Sequence, residues 1–145
     1  MMSLVETLTL AVALLGAVLG ILNTWQSMDR TRVKLRIVPK RAIPVGAANP
    51  NFTFCIEVIN LSEFAVTVEE VGVHYRGIKS RGAYVQPIVA DGGAWPRRLE
   101  ARSAVTLYGY PPSPSNGRPI RCAYARTQCG RTQTGTSPAL RSLNR

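Results

Sequence analysis

The feature that most constrains this chain is an uncharged apolar stretch near its start, TLTLAVALLGAVLGIL at residues 7–22. A helix needs about 20 apolar residues to cross the ~30 Å hydrocarbon layer of a membrane. Leu4–Trp25 supplies 22 residues, with Glu6 in the first turn close to water. Trp25 lies at the other end, where an indole ring suits the headgroup region. The sequence therefore predicts a transmembrane helix over this segment.

Two other interpretations of the stretch are weaker. A cleavable signal peptide needs a basic start and a small-x-small site after the apolar run, and neither MMSLVE nor NTWQSMDR supplies one. A soluble coiled oligomer is an alternative, but its outer face would lack polar residues for about four turns. Membrane insertion is the better explanation of the sequence.

Positive charge follows the predicted helix and none precedes it. The cations that we expect to contact anionic lipid headgroups are Arg30, Arg32, Lys34 and Arg36. Because positively charged flanks stay in the cytoplasm, the amino terminus is expected outside and the rest of the chain inside, at the inner (cytoplasmic) membrane, as a single-pass protein.

The cysteines and the glycosylation sequons bear on the same orientation. An odd number of cysteines (Cys55, Cys122 and Cys129) fits reduced thiols in the cytoplasm. Sequons at Asn51 and Asn60 would favour the outside, but this tripeptide is common by chance. The balance favours a cytoplasmic carboxyl-terminal domain.

The predicted helix has two faces suited to self-association. Large residues recur at spacings of three and four, the pattern of an a/d seam, at Leu8, Val12, Leu15, Leu19 and Leu22. Small residues form a separate stripe with a GxxxG pair, at Ala13, Gly16, Ala17 and Gly20. In lipid, such a stripe lets two backbones approach closely, so we expect a homo-oligomer through this helix.

After residue 30, apolar and polar residues alternate, which is typical of half-buried β-strands. The predicted strands are residues 31–38, 52–59, 65–75, 82–89, 104–109, 120–127 and 131–134. Seven short strands with no amphipathic helix between them indicate an all-β, antiparallel sandwich. The expected organisation is a transmembrane helix in residues 1–29, a β-sandwich domain in 30–136, and a short helix or tail in 137–145, where Ser137-Pro138 is typical of a helix start.

The alternation also assigns faces to individual residues. In the second strand it places Phe52 and Phe54 toward the core and Cys55 away from it. In the strand at 120–127, a core face made by Ile120, Cys122 and Tyr124 would send Arg121 to the opposite side.

The stretch FCIEVINLSEFAVTVEEVGVHY resembles the region from strand B to strand C of immunoglobulin-like sandwiches, where a turn containing Asn joins an alternating strand to a Val-rich one. The resemblance covers about residues 52–127 and implies a seven-stranded immunoglobulin-like fold. The disulfide and core Trp of antibody domains are missing. The whole layout is similar to uncharacterised bacterial membrane-anchored proteins, which implies no known activity.

The sequence offers no set of catalytic or metal-binding residues. GxSxG, HExxH and P-loop motifs are absent, and the one histidine, His74, lies within a strand pattern. Cys122 and Cys129 fall short of a zinc site without further ligands. The chain is therefore expected to be neither an enzyme nor a cofactor-binding protein.

The uneven charge points instead to binding of anions. The net charge is +10, and residues 101–145 hold seven arginines and no Asp or Glu. The candidate anion-binding residues are Arg102, Arg118, Arg121 and Arg131. A base could stack on Tyr108, Tyr110 or Tyr124. An exposed face toward anionic lipid is the alternative.

Two functions follow. The first is a non-enzymatic, membrane-anchored interaction module that self-associates through its helix and docks a cytosolic protein partner. The second is a membrane effector, similar in layout to small proteins of bacterial antiphage defence. In that case the β domain binds a nucleotide or nucleic acid, and the oligomerised helices perturb the membrane.

Overall fold

The computed structural model describes residues 3–46, 49–77, 81–115 and 117–144. In order along the chain its elements are α1 (Leu4–Arg30), β1 (Leu35–Arg41), β2 (Phe54–Asn60), β3 (Val66–Tyr75), β4 (Arg81–Ala83), β5 (Ile88–Val89), β6 (Arg97–Leu99), β7 (Ala104–Gly109), β8 (Ile120–Thr127), β9 (Thr132–Gly135) and α2 (Pro138–Ser142). The chain divides into two compact units, Met1–Arg32 and Val33–Arg145. The second unit is called the β domain below.

Helix α1 begins at a complete capping box. The Ser3 hydroxyl accepts a hydrogen bond from the Glu6 backbone N–H (3.3 Å), and the Glu6 carboxylate accepts one from the Ser3 N–H (2.8 Å). This reciprocal pair satisfies two backbone donors that the first helical turn cannot satisfy itself. The predicted helix is confirmed, and it continues five residues past Trp25, to Arg30.

The β domain consists of two antiparallel sheets. The first sheet has the strand order β1-β2-β7-β5, and the second has β4-β3-β8-β9. Strand β6 also belongs to the second sheet and pairs with the start of β3 at Val66–Val68, whereas β4 pairs near its end at Gly72–His74. The ten-residue strand β3 thus supports two short strands, and β8 lies along its other edge.

One core lies between the two sheets. Its aliphatic and aromatic members come from β1, β2, β3, β5, β6, β7 and β8, and include Phe54, Ile56, Val58, Val71 and Leu107. Helix α2 adds Leu140, which is 1% exposed. Ser137 caps this helix by accepting from the Leu140 N–H (3.2 Å), as the Ser-Pro pair in the sequence indicates.

A buried asparagine joins two loops of the β domain. The Asn60 side-chain amide donates to the carbonyls of Phe64 (2.9 Å), Leu99 (3.3 Å) and Glu100 (3.0 Å). Its carbonyl oxygen accepts from the Ser62 N–H (2.9 Å). Asn60 is fully buried, so these bonds compensate the loss of its hydration and hold the β2–β3 and β6–β7 connections together.

The structure corrects the predicted number of strands. Within the described residues there are nine strands rather than seven. The predicted strand at 82–89 is two strands in different sheets, because the chain leaves β4 of the second sheet and crosses to β5 of the first. Strand β6 at Arg97–Leu99 was not predicted as a separate element.

Two face assignments are also wrong. Phe52 does not join the core but packs edge-on against Tyr110, with ring centroids 5.0 Å apart. In β8, the register against β3 shifts between His74 and Tyr75. A one-residue bulge reverses the alternation, so Ala123 and Ala125 face the core while Cys122 and Tyr124 lie on the outer face of the second sheet.

Candidate functional site

Helix α1 exposes every large apolar side chain that it carries. None of its residues is buried, and Trp25 is 72% exposed. Among the described residues it is the one helix long and apolar enough to cross a membrane. A water-soluble helix buries an apolar face, so this surface requires a partner, which for such a length and composition is a lipid layer or other helices.

The two glycines of the small-residue stripe have no structural role within α1 itself. A Cβ atom at Gly16 or Gly20 would meet nothing within 4 Å. Both have ordinary helical backbone, where glycine is less favourable than alanine. Neither glycine is therefore explained by the fold of a single chain.

The cations that follow the helix are distributed over its end and the first strand. Arg30 is the last residue of α1, Arg32 follows it, and Arg36 is exposed on β1. The Lys34 backbone enters the β domain by donating from its N–H to the Ser62 hydroxyl (2.8 Å) and accepting from the Leu61 N–H (2.8 Å).

The four candidate anion-binding arginines do not form one group. Arg102, in the β6–β7 loop, has a positive φ of 57° and an ion pair with Glu63 (3.8 Å). Arg131 follows the β8–β9 turn, where its N–H donates to the Thr127 hydroxyl (3.1 Å). Arg118 and Arg121 lie at the other end of β8, whose eight residues span about 25 Å. The structure thus separates Arg118 and Arg121 from Arg131 along this strand.

Two arginines that the sequence analysis did not single out join Arg118 and Arg121. The Arg76 N–H donates to the Pro119 carbonyl (3.0 Å), which brings the end of β3 against the chain that enters β8. The Arg118 guanidinium donates to the Gly77 carbonyl (3.1 Å). Arg81 opens β4, directly opposite His74. We call Arg76, Arg81, Arg118 and Arg121 the arginine cluster.

His74 lies on the same outer face, between two of these arginines. Its neighbour on one side is Arg81, and on the other it is Cys122, next to Arg121 in the bulge. Its ring stacks on Tyr124, with centroids 4.3 Å apart and planes at 32°. Partial burial, followed by the charges of Arg81 and Arg121, lowers the pKa of His74 below its ordinary value of 6.5. The ring is therefore neutral near pH 7.

Glu70 and Tyr124 hold Arg81 in place. The Arg81 Nε lies 2.9 Å from Glu70 Oε1, and its guanidinium carbon lies 5.9 Å from the centre of the Tyr124 ring. The Tyr124 hydroxyl donates to the same Glu70 oxygen. Burial and the Glu70 carboxylate raise the pKa of Tyr124, so the phenol keeps its proton. Tyr124 is fully buried although it lies on an outer face.

The structure does not bring the three tyrosines together. Tyr124 belongs to the second sheet and has no exposed ring face for a base. Tyr108 belongs to the first sheet, where it lines a groove of about 470 Å³ with Ile43, Phe52 and Ile88. Tyr110 packs against Phe52 near that groove.

The three cysteines are free thiols in separate places. Cys55 and Cys122 lie on the outer faces of different sheets, which prevents a disulfide between them, and burial raises the pKa of both. Cys129 is exposed, and a hydrogen bond with the Thr127 hydroxyl (3.1 Å) lowers its pKa. The described residues contain no group of three or more His, Cys, Asp or Glu arranged to hold a metal ion.

Comparison with known proteins adds no family to these observations. Neither a protein-family model nor a curated protein sequence matches the chain. Its function is therefore inferred from the helix and from the arginine cluster.

Proposed function

We propose that this chain is a non-enzymatic, membrane-anchored interaction module. The observation that carries the proposal is α1, a capped helix of 27 residues whose apolar side chains are all exposed, followed by a β domain with its own core. Such a helix is about 40 Å long, which is sufficient to span the hydrocarbon layer and reach both interfaces. The β domain is the part that docks a cytosolic partner.

The proposed orientation places the β domain in the cytoplasm. Arg30, Arg32, Lys34 and Arg36 follow the helix, and no basic residue precedes it. The free thiols Cys55, Cys122 and Cys129 support a reducing compartment. The localisation that we infer is the inner membrane of a bacterium, with the amino terminus outside.

We also propose that the β domain is immunoglobulin-like. The order β1-β2-β7-β5 corresponds to the A-B-E-D sheet of that fold, and β3-β8-β9 corresponds to C-F-G. The B and F positions hold Cys55 and Cys122, whose outward directions explain why no inter-sheet disulfide forms here. Domains of this kind commonly serve binding rather than catalysis, which is an analogy of fold.

Self-association of α1 is the second part of the module. Gly16 and Gly20 have open space around them, and the adjoining small residues would let a second helix approach. The large residues Leu8, Val12, Leu15, Leu19 and Leu22 form the neighbouring face. We infer a homo-oligomer in the membrane.

The arginine cluster supports a second candidate, a membrane effector. In this version an anionic ligand bound to the β domain changes the assembly of the helices, which then perturb the bilayer. The test is dye release from liposomes that hold the full chain, with and without the ligand. Ligand-dependent release favours the effector, and its absence leaves the interaction module.

The anchor is tested by extraction and by protease protection. The full chain should remain in membranes washed at high pH and dissolve only with detergent. A protease added to spheroplasts, which have lost the outer membrane, should spare the β domain, and the same protease should digest it after the inner membrane is opened. Release by the wash contradicts the anchor, whereas digestion in intact spheroplasts contradicts only the orientation.

A further inference from the structure

We propose that the arginine cluster and His74 form a binding site for the phosphate group of a small ligand. This rests on the second candidate function, the effector, whose ligand class it names, and its test does not depend on the membrane anchor. The site lies on the outer face of the second sheet, at the end where β3 turns into β4 and β8 begins.

Positive charge is concentrated in the segments around His74. Residues 74–77, 81–83 and 117–122 are joined by backbone pairing, and together they contain four arginines and no Asp or Glu. Glu70, from farther along β3, engages one of the four, Arg81. The charges of Arg81 and Arg121 both act on His74 from the neighbouring strands, and a bound anion would offset these like charges.

Two of the three donors, Arg81 and His74, are held in position before any ligand arrives. Neighbouring strands lie about 4.8 Å apart, so Arg81 and the bulged Arg121 flank His74 from its two adjacent strands. Glu70 and Tyr124 hold the Arg81 guanidinium, and Tyr124 supports the ring of His74. Donors fixed in this way lose little conformational entropy when they bind.

The hydrogen-bond donors of the site favour phosphate over other anions and over bases. A phosphate monoester carries close to two negative charges at pH 7 and three oxygens that accept strong hydrogen bonds. Those oxygens can accept from Arg81, Arg121 and a neutral His74 together, whereas a carboxylate offers one charge and two oxygens. The buried ring of Tyr124 offers no surface for stacking a base. Recognition at this site is therefore by the phosphate group.

The experiment uses the single histidine of the chain as its reporter. The full chain, with isotope-labelled histidine, is held in a non-ionic detergent at constant ionic strength while inorganic phosphate replaces chloride. Expected are a saturable shift of the His74 ring resonances and an upward movement of their titration midpoint. Arg121→Gln, which removes the guanidinium charge of an exposed side chain, should weaken phosphate binding at least tenfold.

Arg98→Gln is the matched control. Arg98 is an exposed arginine on β6, where it pairs with Glu100 (3.2 Å), outside the cluster. This variant should bind phosphate as the unaltered chain does. The proposal is overturned if replacing chloride with phosphate causes no saturable shift, or if Arg121→Gln binds phosphate with unchanged affinity.

Further arms identify the source of the phosphate. Adenosine monophosphate tests a soluble phosphate monoester. Nanodiscs of phosphatidic acid, compared with phosphatidylcholine, test a lipid headgroup, and a shift in the former alone would assign the site to lipid phosphate. Binding of a single-stranded oligonucleotide without any response to small phosphates would overturn the small-ligand proposal. Since all arms in detergent bypass membrane insertion, their failure is distinct from failure of the anchor.

Discussion

Helix α1 and the β domain both contain many branched apolar residues, but they treat them in opposite ways. The β domain buries Ile56, Val58 and Val71 to 1% exposure or less, whereas Val12, Leu15 and Ile21 of α1 are more than 60% exposed. The fold of the β domain is therefore stabilised by its own core. The apolar surface of α1 has no such core and is stabilised only where lipid or other helices replace water.

The largest expected difference between the two regions is in the stability cost of replacing one aromatic residue of each with alanine. Phe54→Ala should lower the free energy of unfolding of the β domain by about 3–5 kcal/mol, because Phe54 is 2% exposed in the core. Trp25→Ala should change it by less than about 0.5 kcal/mol. Urea unfolding of the full chain in detergent, followed by circular dichroism of the strands, measures both. A similar loss in the two variants would contradict the separation of the two regions.

A smaller effect is expected from the polar side chain that ties the loops of the β domain. Asn60→Ala should cost about 2–4 kcal/mol, since it leaves three carbonyls and one N–H without the partner they have now. Asn51→Ala, in an exposed turn, is the matched control and should cost less than about 0.5 kcal/mol. Equal unfolding midpoints for the two variants would show that the Asn60 network is not important for stability.

The elements that could be predicted from the sequence are those with local signals. The continuous apolar run predicted α1, and period-two alternation between Gly, Pro and Asn turns predicted β1, β2, β3, β7, β8 and β9 with errors of up to four residues at their ends. The capping Ser137-Pro138 pair indicated α2. An apolar helix followed by two antiparallel sheets is thereby confirmed as the coarse fold.

The features that were missed depend on pairing between distant segments. The move from β4 to β5 depends on which strands of the two sheets have free edges, which the alternation within residues 82–89 does not encode. The bulge at Arg121 forms where β8 pairs with β3 beside His74. It places the Tyr124 side chain on the outer face of the second sheet instead of in the core. Arg118 bonds to Gly77, 41 residues away, so no local pattern could assemble the arginine cluster.

Substitutions at the two glycines test whether the exposed surface of α1 binds a second copy of the helix. Gly16→Ile with Gly20→Ile should weaken association by about 1 kcal/mol or more, because the added side chains block close approach of two backbones. The stability of the β domain should not change. Sedimentation in detergent over a range of protein concentrations measures the association.

The control for this pair adds bulk to a different face of the helix. Leu14→Phe with Val18→Phe lies about 160° around the helix from the glycines and outside the Leu8–Leu22 seam. This variant should associate as the unaltered chain does. If both pairs of substitutions leave the oligomeric state unchanged, α1 is an anchor only.

The smallest expected effect lies on the surface of the β domain, at His74. Burial and the charges of Arg81 and Arg121 hold its pKa below 6.5, so below that pH the unfolded chain takes up a proton before the folded one does. This contribution to stability is complete above pH 6.5 and is lost as the pH falls toward the folded pKa. Histidine NMR should give a midpoint below 6.5, and Arg121→Gln should raise it.

His74→Gln separates this contribution from the carboxylates, which also titrate in acid. The variant should lose stability less steeply between about pH 6.5 and pH 5 than the unaltered chain does. The glycine substitutions in α1 should leave the slope as it is, because His74 and both of its arginine neighbours belong to the β domain. A midpoint at or above 6.5 would contradict this prediction, because it would mean that burial and the two guanidinium charges together do not lower the pKa of the ring.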